Sequence, residues 1–285
     1  MSMTTRQFLK IPALFAAAVL LAACGKSEPP APPPAPAAAA PASAPAPAPA
    51  KVHVVGTDAA YAPFESQNEK GEIVGFTVDV LKAVAAKSGI EVRFVNTPWE
   101  GIFNALTQGD RDIIASSVTI TDERRQTMDF SSPYFDAAQL IAVKDNSKIT
   151  SFADLKKAKV GVQTGTTGDE AVTKLLGKTS PAIKRYESAP LALKELEAGG
   201  VDAVVADNGV VIHHVANNPG GKFRTVNDPA FVPEQYGFAV RKGNAELLAK
   251  LNEGIAGIKA DGSYDTIYRK YFGTAPAAPA AAASK

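Results

Sequence analysis

The chain is poor in the residues that build covalent or metal-held frameworks. Of its 285 residues, one is cysteine and three are histidine. A single Cys24, close to the N-terminus, excludes an intrachain disulfide framework and keeps a thiol nucleophile out of the folded part. No Cys/His spacing suited to zinc occurs, no Ser/His/Asp arrangement can be placed and there is no phosphate-loop motif, so no metal or other cofactor is expected. An excess of charge is missing too: 30 Lys and Arg stand against 29 Asp and Glu. Arg6 and Lys10 fall within the first 23 residues, and without them 28 basic residues face 29 acidic ones. That balance excludes the broad charged surface of a nucleic-acid or membrane-surface binder. Long apolar runs are also lacking. The 13 residues from Ile11 to Ala23 come nearest, against the roughly 20 needed to cross a bilayer as a helix.

That short run is informative by its neighbours. Arg6 and Lys10 before it and Leu21-Ala22-Ala23-Cys24-Gly25 at its end make residues 1–23 a signal peptide. The Leu-Ala-Ala-Cys end resembles the lipobox of bacterial lipoproteins. It implies lipidation of Cys24 and a periplasmic or extracytoplasmic, membrane-anchored location; a plain signal peptide with an incidental cysteine is the alternative. Residues 24–50 are then the lipidated cysteine and a tether. Ten of the 24 residues from 27 to 50 are proline and most others alanine. Such a segment cannot build a core and suits a semi-rigid spacer of roughly 75 Å at full extension. Residues 274–285 are similar and are expected to form a disordered tail. The folded body is expected at 51–273.

Within the body, strand and helix patterns alternate. Lys51–Val55 reads as a strand, and Val78, Leu81 and Val84 have helical spacing that Gly89 stops. Strands follow at Glu91–Val95 and Asp112–Ser116, around a helix at Glu100–Gln108 closed by Gly109. Leu140–Val143 is a strand leading onward. Ser151 and Asp154 have capping-box spacing. Strand Val160–Gln163, a helix after Gly168, a helix near Pro190–Leu196, strand Val201–Val205 and a helix near Val210–Ala216 make a second unit. Strand Gly237–Val240 and an amphipathic helix with Leu247, Leu248, Leu251, Ile255 and Ile258 complete the body. Repeated βα units argue for an α/β fold with mostly parallel sheets flanked by helices. In such sheets ligands sit beyond the carboxyl ends of strands, which singles out Asp58, Ser116 to Thr121, Thr164 to Gly168, and Asp207.

Their chemistry converges on a zwitterion. Arg124 carries a planar cationic fork that matches a carboxylate, with Ser117 and Thr119 as added donors. Gln163-Thr164-Gly165-Thr166-Thr167-Gly168 follows a strand and opens a helix, whose first N–H groups make a second anion cradle. Asp207 ends a strand and can accept from an ammonium. Each residue alone has a plainer reading: Arg124 as solvated surface, Thr166 and Thr167 as helix caps, Asp207 as a turn residue. Thr121 and Asp122 suit the start of a helix. Only the joint pattern favours a binding site.

The stretches VGTDAAYAPFE (55–65), PWEGIFNAL (98–106), GDRDIIASSVTITDERRQTMDFSSPYF (109–135), DLKKAKVGVQTGTT (154–167), LEAGGVDAVVADN (196–208) and YDTIYRKYF (264–272) occur in this order. On them the chain resembles the bacterial extracellular solute-binding proteins, family 3 type, of polar amino acid ABC transporters. The resemblance implies a two-lobed periplasmic-binding-protein clamshell with two crossover strands. Lobe 1 would be 51–143 and 233–273, lobe 2 144–232, with crossovers near Ile141–Lys144 and Phe238–Arg241. It implies that Arg124 pairs with the ligand α-carboxylate, helped by Thr119 and the Thr166–Thr167 backbone, and that Asp207 and Ser117 take the α-ammonium. Tyr61 and Trp99 would flank the ligand side chain, with Asp58, Ser116, Gln163 and Gly168 near its tip. One departure is visible: Thr77 stands where the family often has an aspartate.

The partners so implied are a free amino acid and a membrane permease of an ABC transporter. The chain itself would be a monomer, held to the membrane by its lipid anchor only. A buried cationic side chain needs a carboxylate, and Asp58 leads, with Glu100 weaker. The expectation is therefore arginine, lysine or histidine; glutamine or another polar amino acid is the alternative. The chain is not expected to be an enzyme. A carboxylate dehydratase on the same fold would need a general acid, for which Glu100 and the pair His213-His214 are candidates, the histidines fitting exposed helix surface better. A ligand-sensing module is the third reading.

Overall fold

Strand β1 (Val52–Thr57) opens a βα series, and its burial grades from exposed at Val52 to fully buried at Val55. The computed structural model describes residues 51–273; Cys24, the Pro/Ala segment and the C-terminal tail lie outside them. After β1 comes a meander of three short antiparallel strands, β2 (Ala60–Tyr61), β3 (Glu65–Gln67) and β4 (Ile73–Val74). Helix α1 (Phe76–Ser88) buries Phe76, Val80, Leu81 and Val84 at helical spacing and ends at Gly89. Then follow β5 (Glu91–Asn96), α2 (Ile102–Gln108), β6 (Ile113–Ile114), α3 (Asp122–Thr127) and β7 (Met128–Phe130).

Strand β8 (Phe135–Ala137) leads the chain out, and β9 (Gln139–Lys144) begins a second series. Ser151 and Asp154 do bond reciprocally, Asp154 N–H to Ser151 Oγ at 3.3 Å and Ser151 N–H to Asp154 Oδ2 at 3.0 Å. They start a 3-10 turn, Ala153–Lys157, rather than an α-helix. The series continues with β10 (Val160–Gln163), α4 (Thr167–Leu176), β11 (Ile183–Tyr186), α5 (Ala189–Ala198), β12 (Ala203–Asp207), α6 (Asn208–Asn217) and β13 (Phe223–Val226). Strand β14 (Glu234–Tyr236) returns to β15 (Ala239–Arg241), and α7 (Ala245–Ala260) and α8 (Ser263–Phe272) close the body.

Two five-stranded sheets result, in the orders β5-β1-β6-β15-β7 and β11-β10-β12-β9-β13. In the first, β1 runs parallel to β5 and β6 while β15 is antiparallel to β6 and β7. In the second, β10 is parallel to β11 and β12 while β9 is antiparallel to β12 and β13. Strands β8 and β14 pair antiparallel in a ribbon of their own between the two series. The crossovers thus lie a few residues ahead of their expected places. Ile141–Lys144 belongs to β9, already inside the second sheet, and Ala239–Arg241 is β15 of the first.

Packing explains the placement. Leu247, Leu251, Ile255 and Ile258 on α7 are all buried, each contributing about 1.5–3 kcal/mol of apolar burial. Phe64, Phe76, Tyr134, Phe135, Tyr236 and Phe238 form one aromatic cluster. In it Tyr134 and Phe238 stack at 4.4 Å, and Phe64 meets Phe135 edge-on at 4.9 Å. This cluster ties the meander and the β8/β14 ribbon to the first sheet, close to where the strand ends converge.

Candidate functional site

On the first sheet, β1 and β6 are parallel neighbours, so the residues after them emerge side by side. Strand β6 is shorter than the sequence suggests because Ser116 leaves the ladder: its Oγ accepts the Asp58 N–H at 2.9 Å. Ser117 turns through φ 48°, in the left-handed region that a non-glycine rarely adopts. Thr121 then caps α3, its hydroxyl accepting the Arg124 N–H at 3.1 Å. The cap aims Arg124 back over the site. Its Nη1 donates to Thr119 O at 2.9 Å, and its guanidinium carbon lies 5.4 Å from the ring centres of both Trp99 and Phe103.

The second sheet supplies the opposing wall. Gln163 ends β10, and its amide donates to Asp58 Oδ2 at 3.3 Å and Glu187 O at 3.1 Å. Thr166 caps α4, accepting from Asp169 N–H at 3.2 Å. Asp207 ends β12 and is buried. Its Oδ2 accepts from the Tyr61 hydroxyl at 2.7 Å and from the Tyr236 hydroxyl, and its Oδ1 from the Gln139 amide. Gly209, in the first turn of α6, lies against the Phe64 ring, where a Cβ would come within 2.5 Å. That close approach lets α6, and Asp207 at its start, sit against the first sheet's aromatic cluster. Arg124 Nη2 also reaches across, to Gly165 O at 3.3 Å. The two walls are thus bonded to each other in a closed arrangement.

The electrostatics are unusual. Arg124 donates to two neutral carbonyls and forms no ion pair with any carboxylate among the described residues. Burial lowers its pKa, opposed by the fields of Glu170, Asp207 and Glu234, yet an arginine stays charged. Asp207 is pushed up to about 6, first by burial and then by Glu234; the Tyr236, Tyr61 and Gln139 bonds oppose the rise. Burial also raises Asp58, against the Gln163 bond. A cation without a carboxylate and a carboxylate without a cation therefore face one space.

That space is a narrow cleft, closed by the Arg124–Gly165 and Gln163–Asp58 bonds between its walls. Asp58, Tyr61, Trp99, Ser116, Ser117, Thr119, Arg124, Gln163, Thr166, Thr167 and Asp207 line it together. Gly168 is the candidate that the structure leaves out. It lies in the first turn of α4 against Gln139 and the Val205 carbonyl, where a Cβ would come within 2.8 Å of Gln139 Oε1. The threonine hydroxyls are committed elsewhere: Thr166 to its cap, Thr119 and Thr167 to Glu234 Oε2 at 2.7 and 2.9 Å. What α4 offers the cleft is backbone N–H.

Four residues that shape the site are not among those the sequence singles out. Gln139 and Tyr236 bond Asp207, Glu234 joins Thr119 and Thr167, and buried Glu65 accepts the Ser117 hydroxyl at 3.0 Å. Glu65 does fall inside the stretch VGTDAAYAPFE, the one signal that could have raised it. Glu100 is exposed and stands outside the cleft. His213 and His214 are half-buried on α6, rather than exposed, and also lie outside it.

Comparison with known proteins places this geometry. The family model of bacterial extracellular solute-binding proteins, family 3, matches residues 53–274. The probable histidine-binding protein of Neisseria gonorrhoeae is 48% identical over 223 residues, covering 78% of this chain and 83% of that protein. The crystal structure of the arginine-, lysine-, histidine-binding protein ArtJ of Geobacillus stearothermophilus superimposes with a TM-score of 0.77 at 46% identity. That match covers 79% of this chain and 97% of ArtJ. An ancestral arginine-binding protein bound to glutamine gives 0.73 at 44% identity, over 78% of this chain and 98% of that one. A two-lobed α/β body, a cleft between the sheets and these matches along its length lead to one conclusion: the chain belongs to the bacterial extracellular solute-binding proteins, family 3.

Proposed function

We propose that this protein is the ligand-binding component of an amino acid ABC importer, and that it clamps a basic amino acid between two lobes. The observation that carries the reading is the unpaired Arg124 facing the cation-free Asp207 across one cleft. An α-carboxylate on Arg124 and the N–H groups of α4, with an α-ammonium on Asp207, satisfies both charges at once. Trp99 and Tyr61 flank the aliphatic stem, and Asp58 at the far end meets a cationic tip. Relatives that bind histidine, arginine and lysine support that side-chain class. Glutamine is the second reading, because Asp58 and Gln163 can also bond an amide, and one related protein holds glutamine.

The first lobe in this reading carries the sheet with β1, the second the sheet with β10, and the β8/β14 ribbon is the hinge. Ligand shifts the open–closed equilibrium because only the closed form lets both walls touch it. The closed face docks on an ATPase-driven membrane permease. Lipidation at Cys24 and a Pro/Ala tether hold the body near that membrane as a monomer. The role is binding rather than catalysis, consistent with relatives that are binding proteins. Calorimetry on protein refolded from denaturant, to strip carried-over ligand, tests the reading. Binding of L-arginine, L-lysine or L-histidine well above L-glutamine and L-glutamate is expected, and no binding to any amino acid refutes it.

A further inference from the structure

Glu65 is a carboxylate that the head-group clamp leaves unused, although it stands directly behind it. It is wholly buried on β3, cross-strand from Tyr61. Its Oε2 accepts the Ser117 hydroxyl at 3.0 Å, while its Oε1 has no hydrogen-bond partner among the described residues. Ser117 in turn lines the cleft and is held in its left-handed conformation. Thr77, which does not line the cleft, has its Oγ1 3.3 Å from Ser117 Oγ and 3.4 Å from the Tyr134 hydroxyl.

A serine hydroxyl has one hydrogen and two lone pairs. With its hydrogen on Glu65 Oε2, Ser117 can present only lone pairs to the cleft. Asp207 likewise only accepts while ionised. An α-ammonium, with three hydrogens, satisfies both acceptors; an α-hydroxyl, with one, satisfies a single acceptor and turns its own lone pairs on the other. Burial raises the Glu65 carboxyl well above the usual range. A proton taken up on Oε1 leaves Oε2 accepting from Ser117, whereas one on Oε2 would make Glu65 the donor and turn the Ser117 hydrogen elsewhere.

We propose that Glu65 is a positioning residue that fixes the Ser117 hydroxyl as an acceptor and so makes the cleft select an α-ammonium over an α-hydroxyl. This rests on the amino-acid reading of the cleft. It is tested by calorimetry with L-arginine and its α-hydroxy analogue on the wild type, Glu65→Leu, Ser117→Ala and the double variant. The wild type is expected to prefer L-arginine strongly, and Glu65→Leu to lower that preference by tenfold or more, since the freed hydroxyl can then donate. In the Ser117→Ala background the same change is expected to move the preference by less than twofold. Equal weakening of both ligands by Glu65→Leu, with the preference unchanged, makes Glu65 merely structural and overturns the proposal.

Neutron diffraction on the wild-type protein decides the matter should Glu65→Leu fail to fold. A Ser117 deuterium pointing to Glu65 Oε2 supports the proposal, and one pointing into the cleft or to Thr77 overturns it. A wild type that binds no amino acid refutes the reading of the cleft. One that binds L-arginine while Glu65→Leu keeps its preference refutes only the role of Glu65.

Discussion

Arg124→Ala removes the one cation that the cleft offers to an anion. Of the five guanidinium hydrogens, two are engaged by Thr119 O and Gly165 O, which leaves three for a carboxylate. Without them a bound carboxylate keeps only backbone donors and faces the fields of Asp207, Glu234 and Glu170 unopposed. Truncating one member of a buried charge pair costs about 2–5 kcal/mol, so the Kd for L-arginine should rise roughly 30- to 5,000-fold. The variant also loses its contact with Trp99 and Phe103, worth about 0.5–2 kcal/mol. That loss falls on the protein and is separated by a thermal melt. Calorimetry should be paired with agmatine, which keeps the side chain and the amine but lacks the carboxylate. The substitution should change agmatine binding less than threefold. A loss below fivefold for L-arginine, or an equal loss for both ligands, refutes the placement of the carboxylate on Arg124.

Asp58→Asn should cost a cationic ligand about 1.5–3 kcal/mol, roughly 10- to 150-fold in Kd, and L-glutamine little; equal losses measured by calorimetry remove Asp58 as the selectivity carboxylate. Asp207 has a folded-state pKa of about 6 against an ordinary 3.8. The folded ligand-free protein therefore holds the extra proton between these values, and its stability from this group falls as pH rises through that window. Ligand binding needs the ionised form, so affinity for L-glutamine should fall towards tenfold per pH unit below about 6. A profile flat down to about pH 4.5, or one unchanged in Asp207→Asn, contradicts the assignment of the ammonium to Asp207. Gly75 sits at φ 137° before α1, where a Cβ would lie 2.1 Å from the Phe64 carbonyl. Gly75→Ala should destabilise by more than about 1 kcal/mol in urea unfolding, and an unchanged midpoint refutes that strain.

The βα alternation and the strand-end residues were legible because each rests on local pattern. Apolar periodicity marks α1 and α7, glycine stops mark the ends of α1 and α2, and Asp207 ends its strand even though β12 starts two residues later than expected. The meander β2–β4 is not legible because strands of two or three residues have no measurable period. Nor is the β8/β14 ribbon, since both strands are short and lie far apart in the chain. Asp112–Ser116 shortened to Ile113–Ile114 because Ser116 turns to bond Asp58 and the Asp112 carboxylate takes the Val54 N–H at 2.9 Å. Gln139, Glu234 and Tyr236 become site residues only through convergence beside that ribbon, which no spacing encodes. Gly168 was the opposite case: its loop had the right character, but its Cα faces Gln139.

The most direct test of the zwitterion clamp is a crystal structure of the protein with L-arginine. The carboxylate should lie about 2.7–2.9 Å from Arg124 donors, the α-ammonium on Asp207 and Ser117, and the guanidinium on Asp58. A ligand reversed in the cleft, with its guanidinium on Asp207, or one bound outside it, would contradict the account.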